Sequence, residues 1–255
     1  MIKNKIISFV FVSILTATSC YAESTFSEEQ KNDIEKIVHG YIVAHPEVVK
    51  EAIIALQTQE EKTLQEQAKS AISTHSEEIF NGQSPSLEPK QPAVTVVEFF
   101  DYQCPHCKRM ESRLEALLTQ NKDLRIVYKE LPILNPHSVM AAQAALAARK
   151  QDKYLPFHRK LMAMDQELTQ ENIMAAAKEV GLDVDQLKKD MASPEVANEI
   201  KANYKIAQAI GIRGTPVFIV APHPMNKNKE SEFVSGETNQ DALQSLIDKA
   251  KATSK

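Results

Sequence analysis

Two cysteines three positions apart constrain this chain more than any other feature. Cys104 and Cys107 lie in Phe99-Phe100-Asp101-Tyr102-Gln103-Cys104-Pro105-His106-Cys107, where a β-branched and aromatic run gives way to a helical pattern. The only other cysteine among 255 residues is Cys20. A structural disulfide gains most when it closes a long loop, and this pair closes almost none. The spacing therefore points to chemistry rather than to a staple. Zinc usually takes four ligands, and no second cysteine pair supplies them, although two thiolates can hold a cuprous ion. His39, His45, His75, His137 and His158 are scattered without metal-ligand spacing and read as surface or packing residues. His223, between Pro222 and Pro224, reads as a loop residue.

The local pattern assigns roles. Cys104 is expected at a helix N-terminus, where unpaired backbone N–H groups and the helix dipole favour a thiolate. An ordinary thiol, with a pKa of about 8.5, is only slightly ionised at neutral pH. Helix-end placement and the Cys-X-X-Cys spacing depress that value. A favoured thiolate stabilises the reduced form and makes the disulfide a better oxidant. Cys104 is thus expected to be accessible and to form a mixed disulfide, and Cys107, one turn in, to be shielded and to resolve it. Pro105 restricts the first turn, and His106 is placed to stabilise the thiolate. Glu98 interrupts an apolar strand six residues earlier; a buried carboxylate there needs a raised pKa or a partner. Lys129, ending the next strand, is the expected counter-charge.

The chain divides into unequal parts. Residues 1–22 read as a secretory signal, with Lys3 and Lys5, an apolar run from Ile6 to Leu15, and small residues before a cleavage point after Ala22. Cys20 is alternatively a lipidation site. Residues 23–80 read as helical. Ser27 and Gln30 form a capping pair, and a second helix runs from Pro46 towards Ile79 with a thin apolar stripe, Val49, Ile53, Leu56, Leu64, Ala68 and Ile72. So little apolar surface on so long a helix suggests an oligomerising arm; the alternative is an amphipathic helix packed on its own domain. Residues 81–92 read as a linker, and 93–255 as one unit of strand, helix, strand, a helical block at about 137–210, two strands and a final helix. The net charge of −4 argues against a nucleic-acid partner. No phosphate loop, nucleotide fingerprint or serine-hydrolase elbow is present.

At these residues the chain resembles the DsbA family of exported thiol–disulfide oxidoreductases. The Cys104-Pro105-His106-Cys107 centre matches that type, and Gly214-Thr215-Pro216 before Val217-Phe218-Ile219 matches its cis-proline loop. The resemblance implies an α/β thioredoxin fold with an inserted helical domain, preceded here by an extended N-terminal helical oligomerisation region. It implies a cis Thr215–Pro216 bond facing the thiols, a substrate-binding role for Thr215 and Pro216, and a proton relay to the second cysteine through Glu98. No bound cofactor or metal is implied. Unfolded or misfolded exported proteins are the expected substrates, in the periplasm or another extracytoplasmic compartment. A DsbB-like oxidase or a DsbD-like reductase is the expected membrane partner. Thr215 resembles the DsbC and DsbG isomerases rather than the monomeric oxidases, and residues 23–80 resemble the oligomerising regions of ScsC-like relatives. The alternative is an envelope copper-binding or lipid-anchored structural protein without essential redox turnover.

Overall fold

The computed structural model describes residues 26–226 and 229–253. The signal segment, its cleavage point and Cys20 lie outside the described residues. The chain separates into two compact units between Gln57 and Thr58.

In the first unit, α1 spans Glu28–Ala44. It starts at the capping pair: Gln30 N–H donates to Ser27 Oγ at 3.2 Å, and Ser27 N–H donates to Gln30 Oε1 at 2.9 Å. Helix α1 runs through Gly40 and stops at His45, because Pro46 opens the next helix at a position that needs no N–H donor. Helix α2 spans Pro46–Thr74 and crosses the division between the units. None of residues 26–57 is buried, and their apolar side chains, Ile34, Ile37, Val38, Tyr41 and Ile42 on α1 among them, face solvent.

The second unit contains a five-stranded sheet. Its strands are β1 (Ser86–Leu87), β2 (Val94–Phe100), β3 (Leu124–Glu130), β4 (Val217–Pro222) and β5 (Glu232–Ser235), in the order β1-β3-β2-β4-β5. Strands β2 and β3 run parallel, as the crossover through α4 (Pro105–Gln120) requires, and the other pairs are antiparallel. Every residue of β2, β3 and β4 is buried, because helices cover both faces. One face carries Val94, Val96, Phe100 and Tyr128, packed with Met110 and Leu114 of α4 and with Leu243 and Ile247 of α10 (Gln240–Ala252). Between Pro136 and Ile210 lie α5 (Pro136–Ala147), a 3-10 turn, α6 (Tyr154–Met162), α7 (Gln170–Glu179), α8 (Val184–Met191) and α9 (Pro194–Ile210). Most of that layer joins the same core.

The other face differs from the sequence expectation. The helix expected to run from Pro46 to Ile79 ends at Thr74, and a short α3 follows at Ser76–Phe80. Ala68, Ile72, Ile79 and Phe80 pack with Val97, Phe99, Val127 and Ile219. The last third of the expected arm therefore belongs to the body of the second unit. Residues 81–92, expected as a linker, contain β1, whose Ser86 and Leu87 pair with Val127 and Ile126. Two residues are too few to produce a periodic signal.

Candidate active site

Asp101 builds the turn that carries the thiols. Its buried carboxylate accepts Gln103 N–H and the Ser138 hydroxyl on Oδ1, both at 2.7 Å, and Ile133 and Leu134 N–H on Oδ2, at 2.9 and 3.0 Å. Four donors offset the desolvation of the charge. Its backbone carbonyl accepts Cys104 N–H at 3.0 Å. The chain thus leaves β2 and enters α4 with Cys104 as the N-cap and Pro105 in the first turn.

Cys104 and Cys107 are both reduced and buried. Cys104 is only 4% exposed, so the expected accessible thiol is a narrow window rather than an open surface. The two thiols are driven in opposite directions. A hydrogen bond from the Cys107 thiol holds Cys104 down at about 5, against the opposing effect of burial, with help from Thr215 and the backbone N–H groups of Cys107 and His106. Burial pushes Cys107 far up, reinforced by its bond to Cys104.

The Thr215–Pro216 bond is cis, and β4 follows it directly beside the end of β2. Thr215 meets Cys104 with two groups. Its carbonyl accepts from the Cys104 thiol at 3.2 Å. Its hydroxyl is buried with no other hydrogen-bond partner, which leaves it free to donate to the thiolate.

Glu98 is buried, and neither carboxylate oxygen has a hydrogen-bond partner. Burial raises its pKa well above the carboxylate range, and the charges of Glu111, Glu130 and Cys104 add to the effect. Lys129 is not its counter-charge. In the parallel β2–β3 register Glu98 pairs with Tyr128 and Phe99 with Lys129. Side chains alternate between faces, so Lys129 points to the opposite side of the sheet. There its Nζ donates to Glu78 O at 2.8 Å and Ser84 Oγ at 2.9 Å. Burial lowers Lys129 to about 8.

The His106 imidazole also has a different neighbour from the one expected. Its Nδ1 lies 2.9 Å from Glu237 Oε2 and 2.7 Å from Arg109 Nη2. What His106 gives the thiolate is its backbone N–H. The histidine, Thr215, Arg113 and residues 236–239 line an open cavity of about 540 Å³.

Sequence reasoning missed a buried polar cluster on the Glu98 side of the sheet. Tyr102 and Tyr154 hydroxyls both donate to Glu130 Oε1 at 2.9 Å. Since Tyr102 donates there, His158 Nδ1, 3.0 Å away, must donate to Tyr102. His158 Nε2 lies 3.3 Å from Glu111 Oε2. Glu130 is raised by burial, against the lowering effect of the two tyrosines. The available signal was its even spacing from Tyr128 along the strand. A carboxylate ending a strand nevertheless reads as a surface residue until the helical layer is known to cover it.

A sheet with this strand order, a helix-capping thiol pair and a cis-proline loop facing it define a thioredoxin-like dithiol protein. The chain belongs to the DsbA-like thioredoxin domain family, whose model matches residues 95–248. A second match, to the copper resistance protein ScsC N-terminal domain, covers residues 30–62. A solved thioredoxin-like oxidoreductase from Silicibacter pomeroyi is 40% identical, with a TM-score of 0.63, over 69% of this chain and 97% of that one. BcfH from Salmonella enterica Typhimurium is 29% identical with a TM-score of 0.72, over 88% of this chain and 96% of that one. ScsC from Proteus mirabilis is 26% identical with a TM-score of 0.62, over 89% and 98%. Among curated relatives, the chain spans about a fifth (21%) of the Na(+)/H(+) antiporter NhaA 3 of Salinispora tropica, at 33% identity over 134 residues. No helix among the described residues is long and apolar enough to cross a membrane.

Alkylation of the reduced protein by iodoacetamide is expected to follow Cys104 ionisation, with a midpoint near pH 5, while Cys107 stays unmodified. A midpoint near the ordinary value of about 8.5 would contradict the site geometry. Cys104 is depressed in the folded reduced protein, so its contribution is complete above the unfolded value and is lost as pH falls towards 5. The melting-temperature gap between reduced wild type and Cys104→Ser should therefore widen as pH rises from 5 to about 8.

Proposed function

We propose that this protein is an exported thiol–disulfide oxidoreductase that forms or rearranges disulfides in proteins folding outside the cytoplasm. The observation that carries the reading is Cys104 at the N-cap of α4, 3.2 Å from the carbonyl of Thr215 in the cis-proline loop, with Cys107 buried one turn inside the helix. Starting from the Cys104–Cys107 disulfide, a substrate thiolate attacks Cys104 Sγ and Cys107 leaves. A second substrate thiolate then attacks the substrate sulfur of the mixed disulfide and expels Cys104 as a stable thiolate. The substrate loses two electrons and two protons; the protein gains both electrons and one proton, on Cys107, and the other proton goes to solvent while Cys104 stays a thiolate. Starting from the dithiol, the Cys104 thiolate opens a substrate disulfide and is released by another substrate thiol, with no net electron transfer. Thr215 and Pro216 present backbone beside Cys104 for an extended substrate. Glu98, held protonated by burial, supplies the proton that the departing Cys107 needs.

An extracytoplasmic location is supported by the signal-like first 22 residues and by the solved relative described as a periplasmic thioredoxin-like protein from Salmonella enterica. Unfolded or misfolded exported proteins serve as substrates, and a DsbB-like or DsbD-like membrane protein resets the thiols. Residues 23–80 mediate homo-oligomerisation, chiefly through the exposed apolar stripe of residues 26–57. The second reading, copper handling, draws on the ScsC N-terminal match. Residues 30–62 contain no cysteine or methionine, and Cys104 and Cys107 are the thiolate ligands this reading would use.

Purified mature protein is expected to reactivate scrambled ribonuclease in a glutathione buffer, and Cys104→Ser to abolish this. Oxidation of reduced ribonuclease without reactivation would restrict the protein to oxidase activity; cuprous-ion binding that is lost in Cys104→Ser, in a wild type that exchanges no disulfides, would favour copper handling. Glu98→Gln is expected to slow release of Cys107 about a hundredfold while the Cys104 alkylation midpoint stays near 5. Unchanged release kinetics would remove the proton role. Ile37→Asp with Tyr41→Asp should reduce the mass seen by light scattering to that of a monomer, and an unchanged oligomer would exclude the α1 stripe as the interface.

A further inference from the structure

We infer that Glu237 is a positioning residue that tempers the oxidising strength of the thiol pair by pairing with the cations on the first three turns of α4. The inference rests on the exchange chemistry proposed above.

Helix α4 has no acidic residue in its first turn. It carries His106, Arg109 and Arg113, spaced so that all three share one face. A single carboxylate collects them. Arg109 Nη2 and Nε lie 2.7 and 3.0 Å from Glu237 Oε2, and Arg113 Nη2 lies 2.9 Å from Oε1. His106 Nδ1 sits between a donor and an acceptor and can serve only one at a time. Protonated, it donates to Glu237; unprotonated, it accepts from Arg109.

Glu237 is held in place from the cis-proline loop. It follows β5 through Gly236, whose φ of 87° suits glycine. Gly236 N–H donates to Pro216 O at 2.8 Å. Arg113 further anchors the segment through the Thr238 carbonyl. The carboxylate thus spans the cavity beside Thr215 and ties α4 to the loop that faces Cys104.

The charge balance gives the direction. Arg109 is a permanent cation whose field reaches the thiolate, and Glu237 is the anion paired with it. The Cys104 charge is itself felt at Arg109, after the larger contribution of Glu237. Without the carboxylate, the cations favour the thiolate more strongly. The reduced form becomes more stable and the disulfide a stronger oxidant.

The test is redox equilibration with glutathione together with thiolate absorbance titration, on the full mature chain. Glu237→Gln should shift the equilibrium about threefold towards the dithiol, about 14 mV less negative, and move the thiolate midpoint to lower pH. Both shifts should collapse in 1 M salt, where the screening length is about 3 Å. Arg109→Gln should move both in the opposite direction, and it decides the matter should Glu237→Gln fold poorly. Glu232→Gln, whose partner is Lys249 outside this cluster, should change neither. A Glu237→Gln potential that is unshifted, more negative, or shifted equally at high salt would overturn the inference. Wild-type protein that fails to exchange with glutathione at all would instead overturn the underlying functional reading.

Discussion

The unequal placing of the two thiols, Cys104 at the cap of α4 and Cys107 one turn inside it, is the constraint on which the site depends. It favours one sulfur charged and the other neutral. Each surrounding feature enforces that asymmetry. Cys104 caps α4, where the backbone N–H groups of His106 and Cys107 are unpaired by the helix. Cys107 lies one turn in, on the buried face with Met110 and Leu114, where a thiolate would have no solvent. The geometry makes one sulfur a good leaving group and the other a poor one. A two-step exchange needs that difference if the mixed disulfide is to be resolved in a chosen direction.

Two buried acids near this pair show how local partners divide structure from chemistry. Asp101 and Glu98 are three residues apart and equally inaccessible. Asp101 receives four hydrogen bonds and holds the turn, the start of α5 and the chain after β3 together. Glu98 receives none and is surrounded by like charge, so its neutral form is favoured. A satisfied carboxylate fixes geometry, whereas an unsatisfied one next to a sulfur is a store for a proton. Glu130, with two tyrosines on one oxygen and nothing on the other, lies between these cases.

Much of this was legible from local rules. The β-branched run Val94–Phe100, the proline-started α4 and the capping pair at Ser27 each fix structure within a few residues, and local sequence encodes such features well. The thiol pair was legible because so few cysteines were present to confuse it. What failed depended on register and on distant segments. Lys129 seemed able to reach Glu98 because both end or interrupt strands, yet a one-residue offset places it across the sheet. Glu237 is 131 residues from His106, and no periodicity links a loop after the last strand to a helix after the second. The buried ends of α2 and α3 look like arm in the sequence because their few apolar residues are thin along a helix. Against Val97, Phe99 and Val127 those same residues complete a core.

That last contrast bears on the first unit. Ile72 and Phe80 are sparse apolar residues that find a sheet face and disappear from solvent. Ile34, Ile37, Val38, Tyr41 and Ile42 form a denser stripe, at spacings of three and four, and remain exposed. Fully burying an aliphatic side chain of this size contributes about 1.5–3 kcal/mol, so the stripe leaves a large stabilisation unrealised in a single chain. A soluble surface rarely carries such a continuous apolar face without a partner. The match of residues 30–62 to the ScsC N-terminal domain falls on this stripe. A second copy would offer the same stripe in return, so the self-association proposed above would satisfy both faces at once. Under that proposal several thiol pairs act on one substrate. Rearranging disulfides gains more from that arrangement than making them does, because a wrongly paired substrate must be attacked repeatedly before it finds its stable pairing.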